Sequence, residues 1–146
     1  MKYSPKLKTI KISQNIGSFY LTKMTPVLLN KIANENLSVY KDEINGIQRE
    51  RDKNKVKEIE KYLHEDKYAS FPNTIILAIR DDLNVEQPLF TFDDEDNISI
   101  ALEPDIANII DGQHRLAGFS SEEDNFELPV AIFINLPMPR GIYFFV

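Results

Sequence analysis

"NIIDGQHRLAG", residues 108–118, decides how the chain is built around it. The apolar pair Ile109 and Ile110 runs into Asp111 and Gly112, and Gln113, His114 and Arg115 arrive where a helix can begin. Asp-Gly is the commonest signal for a tight hairpin turn, and an Arg beside an Asp is usually a surface pair. The same residues also suit an anion pocket. Gly112 tolerates a positive φ and lets backbone approach a ligand, and a helix starting at Gln113 would aim its first free N–H groups into the same space. Arg115 would add a forked pair of donors, His114 a further donor or a proton acceptor, and Asp111 a carboxylate able to hold Mg²⁺ or orient a hydroxyl. Short motifs match by chance, so spacing alone favours the hairpin.

Outward from this point, "ANIIDG" (107–112) reads as a short strand, "QHRLAGFS" (113–120) as a short helix, and "LPVAIFINL" (128–136) as a closing strand. "FPNTIILAI" (71–79) is a near-continuous apolar run behind a Pro, the pattern of a strand covered on both faces. "PLFTF" (88–92) and "ISIAL" (98–102) flank the turn-rich "DDEDN" and predict an acidic hairpin. The clearest helix is "DKNKVKEIEKYLHED" (52–66), with Val56, Ile59, Tyr62 and Leu63 on one face and Asp52 placed to cap it. "VYKDEINGIQRER" (39–51) before it reads as a strand end and a loop. In "MTPVLLNKIANE" (24–35), Thr25 is the expected N-cap, Pro26 the first helical residue, and Leu28, Leu29 and Ile32 the buried stripe. "LKTIKISQ" (7–14) alternates loosely enough to be a strand with a basic exposed face. The sum is an α+β fold with a mixed sheet and a few packed helices, without a regular βαβ alternation.

Composition bounds the function. The 146 residues hold one domain with a real core, and the apolar and charged fractions are those of an ordinary globular chain. No apolar run approaches the length of a membrane span, and the N-terminus lacks the uninterrupted apolar stretch of a signal peptide, so the cytoplasm is the expected location. Without cysteine there is no thiol nucleophile or thiolate metal site, and two distant histidines do not make a zinc site. The net charge of −6 conceals an asymmetry: every formal charge from Met1 to Asn34 is positive, whereas from Arg80 to Glu127 only Arg80 and Arg115 oppose many carboxylates. Only the N-terminal third can offer a basic face to nucleic acid, with Lys6, Lys8 and Lys11 as the leading residues. A solvated charged surface is the plainer meaning of the same pattern.

The whole order of elements resembles the DGQHR-domain family of DndB-like proteins, found with bacterial DNA phosphorothioation systems. Asp111, Gly112, Gln113, His114 and Arg115 match the family's pentapeptide in full. "GIQRE" (46–50), "YLHEDKYASFPNTIILAI" (62–79) and "LPVAIFINL" agree around it, so the likeness runs from about Ile47 to Leu136. It is also similar to the wider ParB/sulfiredoxin-like superfamily, in which a Gly-x-His-Arg turn after a strand receives nucleotide phosphate. Carried over by position, the resemblance implies phosphate or nucleotide contacts from Arg49, Gly112, Gln113, His114 and Arg115. Asp111 matches the Asp of relatives with a DGxHR motif; if the chain is an enzyme that takes ATP or another NTP with Mg²⁺, Asp111 or Glu50 is the expected base or metal ligand. The resemblance implies one domain over residues 1–146, with a basic strand and helix in residues 1–40 and a core in 41–136 that carries the turn. Gln113 stands where sulfiredoxin has its cysteine, so sulfinic-acid repair is not implied. No helix-turn-helix follows, so centromere binding is not implied either.

Family members continue past the strand that "LPVAIFINL" resembles, whereas this chain stops at "PMPRGIYFFV". That apolar finish is read either as a closing strand or dimer contact, or as the end of a truncated product, with truncation favoured. Three functions are compatible with these residues. One is a regulatory or accessory protein of a DNA-modification system, associated with DNA or with the system's other proteins and self-associating. A second is an NTP-hydrolysing or phosphate-transferring enzyme in which Arg115 and the turn N–H groups stabilise charge. The third is a remnant acting only through protein contacts. The resemblance favours the first.

Overall fold

A computed structural model describes residues 2–34, 53–81, 86–120 and 122–136. Its strands are β1 (Leu7–Lys8), β2 (Ile10–Gln14), β3 (Gly17–Met24), β4 (Ala33–Asn34), β5 (Ile75–Ile79), β6 (Phe90–Phe92), β7 (Asn97–Ile100), β8 (Ala107–Asp111) and β9 (Leu128–Ile134). Its helices are α1 (Pro26–Ile32), α2 (Lys53–Glu65) and α3 (Gln113–Ala117). The fold is α+β. Six strands form a mixed sheet in the order β2-β3-β9-β5-β8-β4, and β1-β7-β6 form a second, three-stranded sheet.

The apolar run 71–79 does what its pattern predicts. β5 lies inside the large sheet, parallel to β9 and antiparallel to β8, with Ile75, Leu77, Ala78 and Ile79 fully buried. A strand in this position needs cover on both faces, and the period of two divides its side chains between them. Ile75, Leu77 and Ile79 join Val130 and Ile132 of β9 in the larger core, together with Leu29 and Ile32 of α1 and Ile98 and Ile100 of β7. Ala78, Ala131 and Phe133 face the opposite way into a smaller cluster, where Phe133 stacks on Phe19 at 4.7 Å between ring centroids. "LPVAIFINL" therefore forms an interior strand between β3 and β5 rather than one that closes the sheet.

α1 forms as its cap signals predict. The Thr25 side chain accepts a hydrogen bond from the Leu28 N–H, Pro26 opens the helix, and Leu29 and Ile32 are buried. It ends earlier than the quoted stretch: Ala33 turns extended, and Ala33–Asn34 pair in parallel with Ala107–Asn108. α2 spans Lys53–Glu65, and Val56, Ile59 and Leu63 are half-buried on one side of it. Residues 35–52, and with them Asp52, Arg49, Glu50 and the segment 39–51, lie outside the described residues, as does the chain end 137–146.

The stretch 7–14 breaks at Thr9 into two strands that enter different sheets, with the Thr9 hydroxyl donating to the Asp96 carbonyl. The acidic hairpin forms as expected, in the register Phe90↔Ile100. Its turn is organised by Asp93, whose carboxylate accepts from the backbone N–H groups of Glu95 and Asn97 and from the Asn97 side-chain amide. Those bonds hold the Asp93 carboxyl well below the usual carboxylate range, the Asn97 side chain first and its backbone N–H next, with Lys6 acting in the same direction. No helix among the described residues is long and apolar enough to cross a membrane.

Candidate functional site

β8 reaches Asp111 through an irregularity. Leu77 pairs with Ile109, but Ile76 pairs with Asp111, so Ile110 is an extra residue on the β8 side of the ladder. A bulge of this kind bends the strand and re-aims the residues after it. Gly112 then adopts φ 104°, ψ 8°, and α3 begins at Gln113 with the Leu116 N–H bonded to the Gly112 carbonyl at 3.0 Å. The hairpin reading of Asp-Gly is overturned: the pair joins a strand to a helix. Gly112 is needed twice over. Its φ lies in the left-handed region, and an added Cβ would sit 2.8 Å from Ile75 Cγ1 and 3.2 Å from the Arg115 Nη2 atom.

Arg115 turns back across the start of β5. Its Nη1 donates to the Asn73 carbonyl at 2.6 Å and its Nη2 to the Thr74 carbonyl at 3.3 Å, while Nη2 lies 3.6 Å from Asp111 Oδ2. The Arg115 side chain is 15% exposed and that of Asp111 44%. The guanidinium is therefore a brace between α3 and the entry to β5, and the contact to Asp111 is its outer, weaker arm. Two of its five N–H donors are committed to carbonyls; a fork of this shape still has N–H groups to offer an anion. Gln113 and His114 are half-buried beside it. A phosphate here would meet the Asp111 carboxylate as well as Arg115. The donor set fits Mg²⁺ only as an ion carried in on the phosphates, because Asp111 alone is too few ligands. Among the described residues no group of three or more His, Asp or Glu side chains gathers as a metal site.

Beyond the turn, α3 packs on α2 at Gly118. The C-terminal cap Gly118 donates its N–H to the carbonyls of His114 and Arg115, and a Cβ there would overlap Ile59 Cγ2. Phe119, Phe126, Phe71 and Tyr62 form a chain of ring contacts under this junction. The Tyr62 hydroxyl accepts from the Ser70 N–H at 2.8 Å and fixes the segment that leads to Asn73 and Thr74.

The N-terminal lysines lie elsewhere. β2 is separated from β8 by three strands, roughly 19 Å at the usual strand spacing, so Lys11 and the turn sit towards opposite edges of the sheet. Lys6 pairs with Asp93 at 3.2 Å, and Lys8 lies opposite Asn97 in register, so both border the acidic hairpin. A feature that no sequence motif announces is a groove of about 480 Å³ along α1 and the end of β3. Lys6, Lys8, Lys23 and Lys31 line its rim and Leu7, Met24, Leu28 and Leu102 its floor. The lysines come from three separate segments, which is why no local run marked it.

The family model of DNA-sulfur modification-associated proteins, DndB, matches residues 7–140 of the chain. No curated protein and no solved structure matches it significantly. The matched span takes in every strand and helix described above, including the Asp111–Arg115 turn, and so the chain belongs to the DndB family of DNA-sulfur modification-associated proteins.

Proposed function

We propose that this protein is a regulatory or accessory component of a bacterial DNA phosphorothioation system, that it associates with DNA, and that the Asp111–Arg115 turn takes a nucleotide phosphate as a control signal. The observation that carries the reading is the family match over residues 7–140. The DNA arm is supported by the exposed lysines of the first two strands, Lys8 and Lys11, and by Lys6 before them. The hairpin turn Asp93–Asp96 beside Lys6 and Lys8 offsets part of their field, and the chain carries −6 overall. DNA affinity is therefore expected to be weak and steeply salt-dependent, since each phosphate contact contributes a slope of about −0.9 in log K against log salt.

The test is a mobility shift with phosphorothioated and unmodified duplexes. The expected result is a shift at about 20 mM salt that fades by about 200 mM, and that is weakened several-fold by Lys8→Gln with Lys11→Gln. Absence of a shift at the lowest salt, with folded protein, removes the DNA arm. The nucleotide arm rests on Arg115, whose guanidinium sits at the turn with N–H groups beyond those given to the Asn73 and Thr74 carbonyls; the room left by the missing Cβ of Gly112 is taken by Ile75 and Arg115 themselves. Titration calorimetry with ATP, GTP and CTP plus Mg²⁺ tests it, and no heat with any of the three removes that arm.

A further inference from the structure

Beyond the DNA and nucleotide readings, we infer that the groove between β1, the end of β3 and α1 is a docking site for an acidic, leucine-bearing segment of a partner protein. Four lysines, Lys6, Lys8, Lys23 and Lys31, and one carboxylate, Glu127, line a cleft of about 480 Å³ on a chain whose net charge is −6. The charge gathered here is opposite to that of the molecule as a whole, and it is complementary to carboxylates. The floor decides between acidic partners. Leu7, Leu28 and Leu102 are half-buried, and Met24 closes the base at 2% exposure. A phosphodiester backbone has nothing to bury against such a floor. Single-stranded nucleic acid gains affinity by stacking bases on aromatic rings, and the lining contains none. An acidic peptide satisfies both parts: apolar side chains cover the floor while carboxylates meet the rim, the pattern of an amphipathic segment laid in a groove. The lysine stems add apolar wall.

The existing ion pairs do not bar the site. Lys6 pairs with Asp93 at 3.2 Å and Lys23 with Glu127 at 2.6 Å, and both ammonium groups remain largely exposed. Exposed pairs of this kind contribute little, so a partner carboxylate can replace the internal one at small cost. Neither Lys8 nor Lys31 has an ion pair among the described residues. The anchoring framework is firm: Thr25 caps α1, the Val27 N–H donates to the Glu123 carbonyl, and Thr22 donates to the Lys8 carbonyl at 2.7 Å.

The experiment titrates the full chain with a fluorescent peptide carrying Leu and Glu at helical spacing. Three controls accompany it: the same peptide with Lys for Glu, one with Ser for Leu, and a single-stranded oligodeoxynucleotide. Saturable binding of the Leu/Glu peptide is expected, at least ten-fold tighter than any control. Lys8→Glu with Lys31→Glu, which alters only exposed side chains, should weaken it ten-fold or more, and Leu28→Gln several-fold. Leu28→Gln should leave the DNA shift unchanged, which separates this site from the DNA reading. No binding of the Leu/Glu peptide to the wild type overturns the proposal. So does binding that the lysine variant leaves intact, or equal binding by the leucine-free peptide or the oligonucleotide.

Discussion

Gly118→Ala is expected to destabilise the protein by about 1–3 kcal/mol, lowering the melting temperature by roughly 3–10 °C for a chain of this size. The added methyl would overlap Ile59 Cγ2 and sit 2.8 Å from Ile59 Cβ. Ile59 Cβ is fixed by the backbone of a 13-residue helix, and a β-branched side chain strongly prefers one χ1 there, so moving Cγ2 away is itself costly. The φ of Gly118 is −73°, which any residue adopts, so the loss comes from packing and outweighs the roughly 0.4–1 kcal/mol that Gly→Ala gains by restricting the unfolded chain. α2 contributes no fully buried residue and is held through half-buried contacts such as this one. It should yield by tilting away from α3, loosening the ring cluster of Tyr62, Phe71 and Phe119. Thermal unfolding of Gly118→Ala, Ile59→Ala and the double variant checks this. Ile59→Ala removes the Cγ2 overlap and leaves only the closer approach of the two Cβ atoms, so the two substitutions should be non-additive by about 1 kcal/mol. Strict additivity would place the cost elsewhere.

Arg115→Met is expected to cost about 1–3 kcal/mol, because the methionine keeps an apolar stem but abandons the carbonyls of Asn73 and Thr74. Arg115→Lys should recover only part, since one ammonium does not reproduce a fork that reaches two adjacent carbonyls. Asp111→Asn should cost under about 1 kcal/mol, because the pair at 3.6 Å is an outer contact and the Asp111 side chain is 44% exposed. Urea denaturation of the three variants ranks these roles. A wild-type midpoint for Arg115→Met would show that the carbonyl brace adds no stability. The ranking also bears on ligand binding: loss of ATP heat in Arg115→Met reports on the pocket only where circular dichroism shows the variant folded at the temperature of titration. Asp111→Asn, which spares the brace, is the cleaner probe of a metal-assisted phosphate.

The pentapeptide illustrates which parts of this structure a reader of the sequence can reach. That Asp111 ends a strand and Gln113 opens a helix can be inferred once the flanking patterns are weighed, and the left-handed Gly112 from the sharpness of that junction. The partners of Arg115 cannot, because Asn73 and Thr74 lie 42 and 41 residues away and meet it only through the pairing of β5 with β8. The bulge at Ile110 is equally silent, being a property of two strands together.

α1 was legible because Thr25 and Pro26 are local signals, and β5 because an unbroken apolar run has few other uses. β3, by contrast, carries no such signal. Gly17–Met24 mixes Thr22 and Lys23 with half-buried aromatics, and its strand character comes from lying between β2 and β9. Sheet order is non-local in the same way: nothing in "LPVAIFINL" says that it lies inside the sheet, and nothing in "LKTIKISQ" says that Thr9 divides two sheets. The lysine groove assembles positions 6, 8, 23 and 31, which look ordinary when read in line.

A protein that serves a DNA-sulfur modification system acts on that system in the cell, so the measurement is made in a bacterium that carries both. Phosphorothioate-linked dinucleotides are quantified by mass spectrometry, and transcripts of the modification genes are counted, in the wild type, in an in-frame deletion of this chain, and in the complemented strain. The expected result is a reproducible change in phosphorothioate content or in those transcripts on deletion, reversed by the wild-type gene. Identical phosphorothioate content and identical transcripts in all three strains would contradict the account.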